Sequence, residues 1–488
     1  QRVSTEIPWY QPFHCNQDAQ SYHPDTPHIR RLVPGGWFDA GDLTQITEQT
    51  APITYLLFEY AEKIAKEGGD KDLYDRIIEE GKWGLDWLLK TNFGDGYRTN
   101  LIFYGLGKGI PGDGDPSSAA TNSPLYNFMV STAEIQAYKM LKDSDPELAK
   151  RAYTMAREDW KQAVLKENEW MDYAREHNTH INGSDQDGPS MYAAWGIIAA
   201  IALFEATQNP IYKNKAIEYG RILISCQEQK FLHDVPITGY FYKHPSKKIR
   251  RQDGNGGRSE VPINALSKLA KTFPDSDDWI QWYSALLIYS EYFAKQNKGT
   301  TPYDLSPIAV YKETDYLLAA ESLQAETKRM IEEGTKIDDN FYLRHFPICP
   351  YVTNGTSGNT LQNGTISACT AQIRGDLESE EIAQKQLQWV LGRNPFSKSM
   401  AYDIGYDYHN FLNFSKGHMV GGFALGMDSL HNDSPYWSSS AYYTSKEPYV
   451  GTTYRFWHAA MLLSSPAYVT GKVKPAKSKM VMFVNRTT

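Results

Sequence analysis

LVPGGWFDAGDLTQITEQTAPITYLLFEYAEKIAKE, residues 32–67, joins a glycine- and aromatic-rich loop carrying two carboxylates to a run with the apolar spacing of an amphipathic helix. The helix is expected over 52–67, with Pro52 in its first turn. Asp39 and Asp42 stand just ahead of it, and two readings of them are open. They shape a turn and cap the helix, since a carboxylate accepts the free N–H groups of a first turn. Alternatively, they converge on a water molecule and take a proton from it, with Trp37 and Phe38 holding bulk solvent away.

The rest of the chain decides the fold. Helical periodicity recurs at 72–91, 124–142, 145–166, 189–207, 211–228, 261–272, 276–296, 314–333, 359–375, 378–392 and 452–463. Between these runs lie Gly/Pro/Asn/Asp clusters such as GLGKGIPGDGDPSSAATNSP and RRQDGNGGRSEVP, long enough to build a binding face. DVPITGYFYKH, 234–244, is the best candidate for a short β-ribbon. No linker divides the chain, so the expectation is an all-α domain of about six helical hairpins over 1–466, with a surface tail over 467–488. Closing the hairpins into a ring would bury every apolar face. It would also bring the first and last helices together, and Glu447 in TSKEPYVGTTYRFWHAAMLL (444–463) immediately precedes the last one. Three carboxylates would then face one cleft.

Bulk properties narrow the partners. The 488 residues carry 50 Lys and Arg against 58 Asp and Glu, a formal charge of −8, so nothing favours nucleic acid. The 33 Tyr and 12 Trp suit stacking on sugar rings, although most are expected to fill the core. No apolar run is read as a membrane span. Cys15, Cys226, Cys349 and Cys369 match no metal-ligand spacing; buried thiols are the default, with a Cys349–Cys369 disulfide as the alternative. Asn354 and Asn363 lie in glycosylation triplets. The chain is either cytosolic or has lost a leader. Zinc at Cys15, His23 and His28 lacks a second cysteine, and GDGDP is acidic but has no EF-hand spacing, so no metal site is assigned.

Five ordered motifs resemble glycoside hydrolase family 9, the inverting β-glucanases built on an (α/α)6 toroid. GGWFDAGD (35–42) is similar to that family's Gly-Gly-aromatic-x-Asp-Ala-Gly-Asp motif. QPFHCNQDAQ stands upstream, where members carry a Pro-x-Cys-His-like segment. KWGLDWLLKTN (82–92) resembles the helix ahead of the substrate loops, QWVLGRNPFSKSMAYDIG (388–405) the Leu-Gly-x-Asn-Pro signature, and 444–463 the segment with the catalytic acid. The resemblance implies Asp42 as general base, Asp39 as holder of the attacking water and Glu447 as general acid. It further implies Trp37, His409, His418 and Tyr443 as sugar contacts, a β-linked poly- or oligosaccharide substrate, a secreted or periplasmic location, and no required cofactor, with structural Ca²⁺ as an option. The family's outer helix before the segment matching QRVSTEIPWYQ, and the immunoglobulin-like domain often ahead of it, are expected to precede residue 1.

Two departures bear on specificity. The His-x-His-His-Arg cluster that endoglucanases of the family carry is replaced by YDYHNFLNFSKGHMVGGFALGMD (406–428), which keeps His409 and His418, and the Asn usual before the acid is Lys446. An exo-acting β-glycosidase of glucosidase or glucosaminidase type therefore competes with an endoglucanase. A polysaccharide lyase would need an Arg/Lys cluster for a uronate, which the sequence lacks. A non-catalytic glycan-binding protein is the third alternative, and the retained Asp39, Asp42 and Glu447 argue against it.

Overall fold

The computed structural model describes residues 19–41, 44–102, 117–176, 188–252, 258–296, 303–348, 355–410, 420–437 and 446–464. Six helices form an inner ring: α1 (Thr47–Glu67), α3 (Pro124–Leu141), α6 (Pro189–Thr207), α8 (Glu260–Thr272), α11 (Ser357–Arg374) and α13 (Val450–Leu463). Each packs on the next, and α13 returns to α1, which closes an (α/α)6 barrel. Among the described residues, outer helices α2 (Lys71–Thr91), α4 (Pro146–Leu165), α7 (Pro210–Ser225), α9 (Trp279–Tyr289) and α12 (Leu377–Val390) back α1, α3, α6, α8 and α11.

Local chemistry fixes the direction of four of the five hairpins among the described residues. Gly68 and Gly375 end α1 and α11 in the left-handed conformation that glycine adopts without penalty. Asp70, Asp145, Asn209 and Asp376 then cap the outer helices by accepting their first N–H groups. These tight turns all lie at the C-terminal ends of the inner helices. The long connections lie at the opposite end, where all six inner helices begin. That end is the face carrying Asp39 and Glu447.

The inner helices read differently from the outer ones because they are enclosed on all sides. α6 is apolar around its whole circumference, and by length and composition it is apolar enough to cross a membrane; within this fold it is a buried ring member. α11 is polar yet buried throughout, and some of its polar groups are satisfied by neighbouring segments. Asn363 Nδ2, for instance, donates to the carbonyls of Ser306 and Pro307 at 2.9 and 3.2 Å, which leaves its triplet inaccessible to a glycan. Cys226 and Cys369 are buried free thiols, so the disulfide alternative does not hold for Cys369.

Several expectations need correction. α1 starts at Thr47, ahead of Pro52, because Thr47 is anchored by tertiary bonds: its N–H and Oγ1 donate to the carbonyls of Asn100 and Thr99 at 2.8 and 2.6 Å. The helix expected over 314–333 breaks into a 3₁₀ turn (Glu313–Leu318) and α10 (Gln324–Glu332). These pack beside a three-stranded sheet of β6 (Ala309–Lys312), β8 (Phe341–Arg344) and β7 (Thr335–Lys336) that sequence reading missed. The ribbon at 234–244 contributes only isolated bridges. A short α5 (Glu167–Glu176) was also missed.

At Gly84 of α2, an added Cβ would collide with Thr54 Oγ1 of α1 and the Trp37 ring. Gly84→Ala is therefore expected to cost about 1–3 kcal/mol through overpacking. Urea unfolding would measure it, and an unchanged midpoint would contradict this account of the α1–α2 contact.

Candidate active site

Outer helix α2 holds the loop of residues 33–41 from beneath. Trp87 Nε1 donates to the Val33 carbonyl at 3.0 Å, and Trp83 Nε1 donates to the Gly36 carbonyl at 2.8 Å. Glu80, one turn earlier, accepts the indole N–H of Trp37 at 2.7 Å. Positions 80, 83 and 87 share one helix face, so α2 meets the loop with three consecutive turns. Gly36 has φ +71° and lies against the Trp87 ring, 3.0 Å from where a Cβ would stand, so neither its conformation nor its space admits a side chain.

This loop meets the start of α13. The Asp39 carbonyl accepts the Val450 N–H at 2.8 Å, which satisfies a first-turn donor of the helix, while the Asp39 N–H donates to the Thr44 carbonyl at 2.8 Å. Glu447 Oε1 accepts the Gly41 N–H at 3.0 Å across 406 positions of sequence. Either protonation state of a carboxyl group offers the lone pair this bond needs. Asp39 and Glu447 are both buried. The backbone of the 39–41 loop thus touches Glu447 and the start of α13, so the two ends of the chain meet here.

A small ladder carries Glu447. The Leu425 N–H donates to the Glu447 carbonyl at 3.0 Å, the Tyr449 N–H to the Phe423 carbonyl at 2.9 Å, and the Ala424 N–H to the Met400 carbonyl at 3.0 Å. Three extended segments, 400–401, 423–425 and 447–449, therefore run side by side, fixing the backbone on both sides of Pro448. Tyr449, which the sequence reading did not single out, receives a 2.7 Å bond from Gln49 Nε2 of α1. Burial pushes its phenol well above the ordinary tyrosine range, and it lies within electrostatic reach of Arg258 and Asp39. An aromatic residue two positions after the proposed acid was the available signal.

The proposed sugar contacts divide. Trp37 is a core residue: it is 5% exposed, its ring packs against α2, and its N–H is committed to Glu80. The Trp37 ring, expected from the resemblance to contact sugar, is instead turned inward by the α1–α2 packing. His409 is buried beside the site, edge-on to Trp437 with ring centroids 5.2 Å apart. Burial, together with the Lys446 and Lys398 ammonium groups, lowers its pKa to about 4, so it is neutral at pH 7. Asp42, His418 and Tyr443 lie outside the described residues. So do Cys15 and the GDGDP loop; His23 has Nε2 on Asp95 Oδ2 at 2.9 Å and its Nδ1 accepting the Asp25 N–H at 3.2 Å. Among the described residues no three His, Cys, Asp or Glu side chains gather to hold a metal.

Asp428 was missed by the sequence reading and has no local signature. It follows the ladder segment 423–425, is buried, and its carboxyl oxygens have no hydrogen-bond partner; burial raises its pKa to about 7. Burial of an unpaired carboxyl group disfavours its charged form.

Ring, loop and carboxylates together define a helical-toroid glycoside hydrolase. Residues 1–415 match glycosyl hydrolase family 9, and the chain belongs to that family. The match includes Asp39, Asp42 and His409 and ends before Glu447. No curated protein sequence matches the chain. Among solved structures, the cellulase Cel9M of C. cellulolyticum superposes with a TM-score of 0.54 at 14% identity, covering 89% of this chain and 88% of that one. A Bacteroides ovatus GH9 protein gives 0.59 at 14% identity, covering 92% and 76%. A metagenome-derived glycoside hydrolase family 9 endoglucanase gives 0.57 at 16% identity, covering 92% and 75%. At these identities the likeness establishes the fold.

Two outcomes are expected. Trp87→Phe removes a buried bond to the loop of Asp39 and should cost about 1–3 kcal/mol while lowering kcat; unaltered kcat in a folded variant would separate the loop from catalysis. Asp428 has a folded pKa above its ordinary value of 3.8, so the native state holds more protons than the unfolded one and loses stability as pH rises from about 4 to about 7. Asp428→Asn should therefore raise Tm at pH 7 to 8, with the gain vanishing near pH 4. Thermal melts across this range test it, and a loss of Tm at pH 8 would contradict it.

Proposed function

We propose that the chain is an inverting hydrolase of β-linked glucan-type oligo- and polysaccharides, with Glu447 as general acid, Asp42 as general base and Asp39 as orienter of the attacking water. The observation that carries this reading is the Gly41 N–H bond to Glu447 Oε1, which seats the acid from the end of the chain on the Asp-Ala-Gly-Asp loop from its beginning. Glu447 protonates the leaving oxygen while Asp42 takes a proton from a water on the opposite face of the sugar ring. An inverting mechanism requires a gap of about 6.5–9.5 Å between its two carboxyl groups to admit the water. Neutral His409 brings no charge to the site, which suits an uncharged substrate.

The missing His-x-His-His-Arg cluster removes charged contacts at the cleavage point, so soluble or short β-glycans are proposed as better substrates than crystalline cellulose. Location outside the cytoplasm follows from such a substrate and is proposed with it.

Glu447→Gln is expected to lose most turnover on unactivated oligosaccharides and much less on aryl glycosides, whose leaving oxygen needs little protonation. Asp42→Asn should fail on both, and Asp39→Asn should fall between them. Proton NMR of the first product should reveal the anomer opposite to the substrate's. Retained configuration, or a fully active Glu447→Gln protein on cello-oligosaccharides, would overturn the assignment.

A further inference from the structure

Residues 392–409 follow α12, supply segment 400–401 of the ladder that carries Glu447, and end at His409. On this lobe Tyr406 is the most exposed large hydrophobic side chain among the described residues. An exposed tyrosine alone needs no explanation. The turn beneath it does, because it is held from several sides. Lys398 Nζ donates to both carboxylate oxygens of Asp407 at 2.8 and 2.9 Å, the Ser399 N–H donates to the Asp407 carbonyl at 2.8 Å, and the Ile404 N–H donates to the Ala401 carbonyl at 3.3 Å. The Tyr402 and Tyr408 rings meet edge to face, with centroids 5.4 Å apart. Asp403 has φ +57°, a left-handed conformation that few residues other than glycine adopt. A turn fixed in this way loses little freedom when a ligand covers its tyrosine.

The same turn adjoins the candidate active site. Lys398, which holds Asp407, also stands over the Trp437 ring, 6.0 Å from its centroid, and His409 meets that ring edge-on at 5.2 Å. Three positions separate Tyr406 from His409, so their Cα atoms are at most about 11 Å apart. His409 in turn lies within electrostatic reach of Lys446, the neighbour of Glu447 in sequence. Exposed Ile404 lies two positions before Tyr406, and exposed Val420 precedes Gly421, whose N–H donates to the Tyr402 carbonyl at 2.9 Å. Asp403 and Asp407 are exposed on either side of Tyr406 in sequence, and even Asp407, bonded to Lys398, keeps lone pairs for further donors. Apolar surface bordered by acceptors matches a neutral sugar ring, which offers a C–H face and hydroxyl donors at its edge. Two carboxylates against one ammonium group disfavour a polyanion.

We propose that Tyr406 is an outer stacking platform for a neutral β-linked glucan chain, placed beyond the catalytic cleft so that a long substrate is held on the lobe while its scissile bond lies at Glu447. The assignment rests on the β-glycan substrate proposed above and extends it to the length of chain recognised. A pyranose covers the Tyr406 ring with its C–H face, and its hydroxyl groups donate to Asp403 and Asp407. Short substrates that fill only the cleft do not reach the platform. It therefore favours soluble polymers over dimers and takes no part in the chemical step.

The test uses the full chain and two measurements. In native gels containing soluble mixed-linkage β-glucan, the Glu447→Gln protein, which leaves the polymer uncut, is expected to be retarded. Adding Tyr406→Ala should weaken that affinity about fivefold or more, and Tyr406→Trp should restore it; because the side chain is fully exposed, neither substitution touches the core. In turnover, Tyr406→Ala should raise KM for the same glucan more than it lowers kcat, and its loss of kcat/KM should be at least about fivefold greater on the polymer than on an aryl cellobioside. A wild-type chain that cleaves neither substrate would sink the proposed function, while the gels would still decide on the platform. Migration without retardation, equal retardation of the Tyr406→Ala protein, or equal losses on polymer and aryl cellobioside would overturn the proposal. So would a change from dimer to monomer in sedimentation of the Tyr406→Ala protein, which would assign this face to a second copy of the chain.

Discussion

The ring depends on charges buried along its axis. Arg258 Nη2 meets Glu48 Oε1 of α1 at 2.8 Å, and Arg455 Nε of α13 meets Glu260 Oε1 of α8 at 3.0 Å. The first pair ties α1 to the residue just before α8, and the second ties α13 to α8, so both act across the ring rather than around it. Burial opposes both guanidinium charges, but facing carboxylates and phenols keep them charged. Breaking either pair would strand a charge and cost about 3–5 kcal/mol. Apolar contact alone would let neighbouring helices slide along their axes. The paired charges set their heights, and with them the relation between the Asp39 loop, which enters α1, and Glu447, which enters α13.

Much of this architecture was legible because ring closure demands periodic burial. Helices recur with apolar spacing, loops alternate short and long, and the two ends carry carboxylates, so one toroid and one cleft followed from pattern. The start of α1 was not legible, because what extends it beyond Pro52 is a tertiary bond to Thr99 and Asn100 rather than a local cap. The sheet beside α10 escaped because Glu313–Leu318 has helical spacing and bends into a 3₁₀ turn. Trp37 was misread for a related reason: an aromatic residue in a glycine loop reads the same whether it faces ligand or core, and only Gly84 and Glu80, more than forty positions away, decide for the core. The axial pairs left no trace in the sequence, since Glu48 and Arg258 are 210 positions apart.

Around the catalytic end, helix direction matters as much as side chains. All six inner helices start there, so their partial positive ends converge on the cleft, while their partial negative ends converge on the opposite mouth, where Lys63, Lys66, Lys139, Lys268 and Lys271 collect. The two mouths therefore differ in electrostatic character before any side chain is considered. Positive ends favour ionised carboxylates at that mouth. The lysines at the far mouth offset the opposite field, and the acidic side chains paired with them leave that mouth close to neutral.

The bond between Gly41 and Glu447 has a consequence for how the molecule comes into being. Contacts between residues so distant in the chain form late, because the intervening segment must first be ordered, and folds rich in such contacts assemble slowly. During synthesis the amino-terminal hairpins can stack as soon as they emerge, yet the Gly41–Glu447 contact does not exist until the last helix docks. In a partially built or carboxy-truncated chain the carboxylate loop is thus left without its partner from the last helix, and that contact reports the moment the circle is complete.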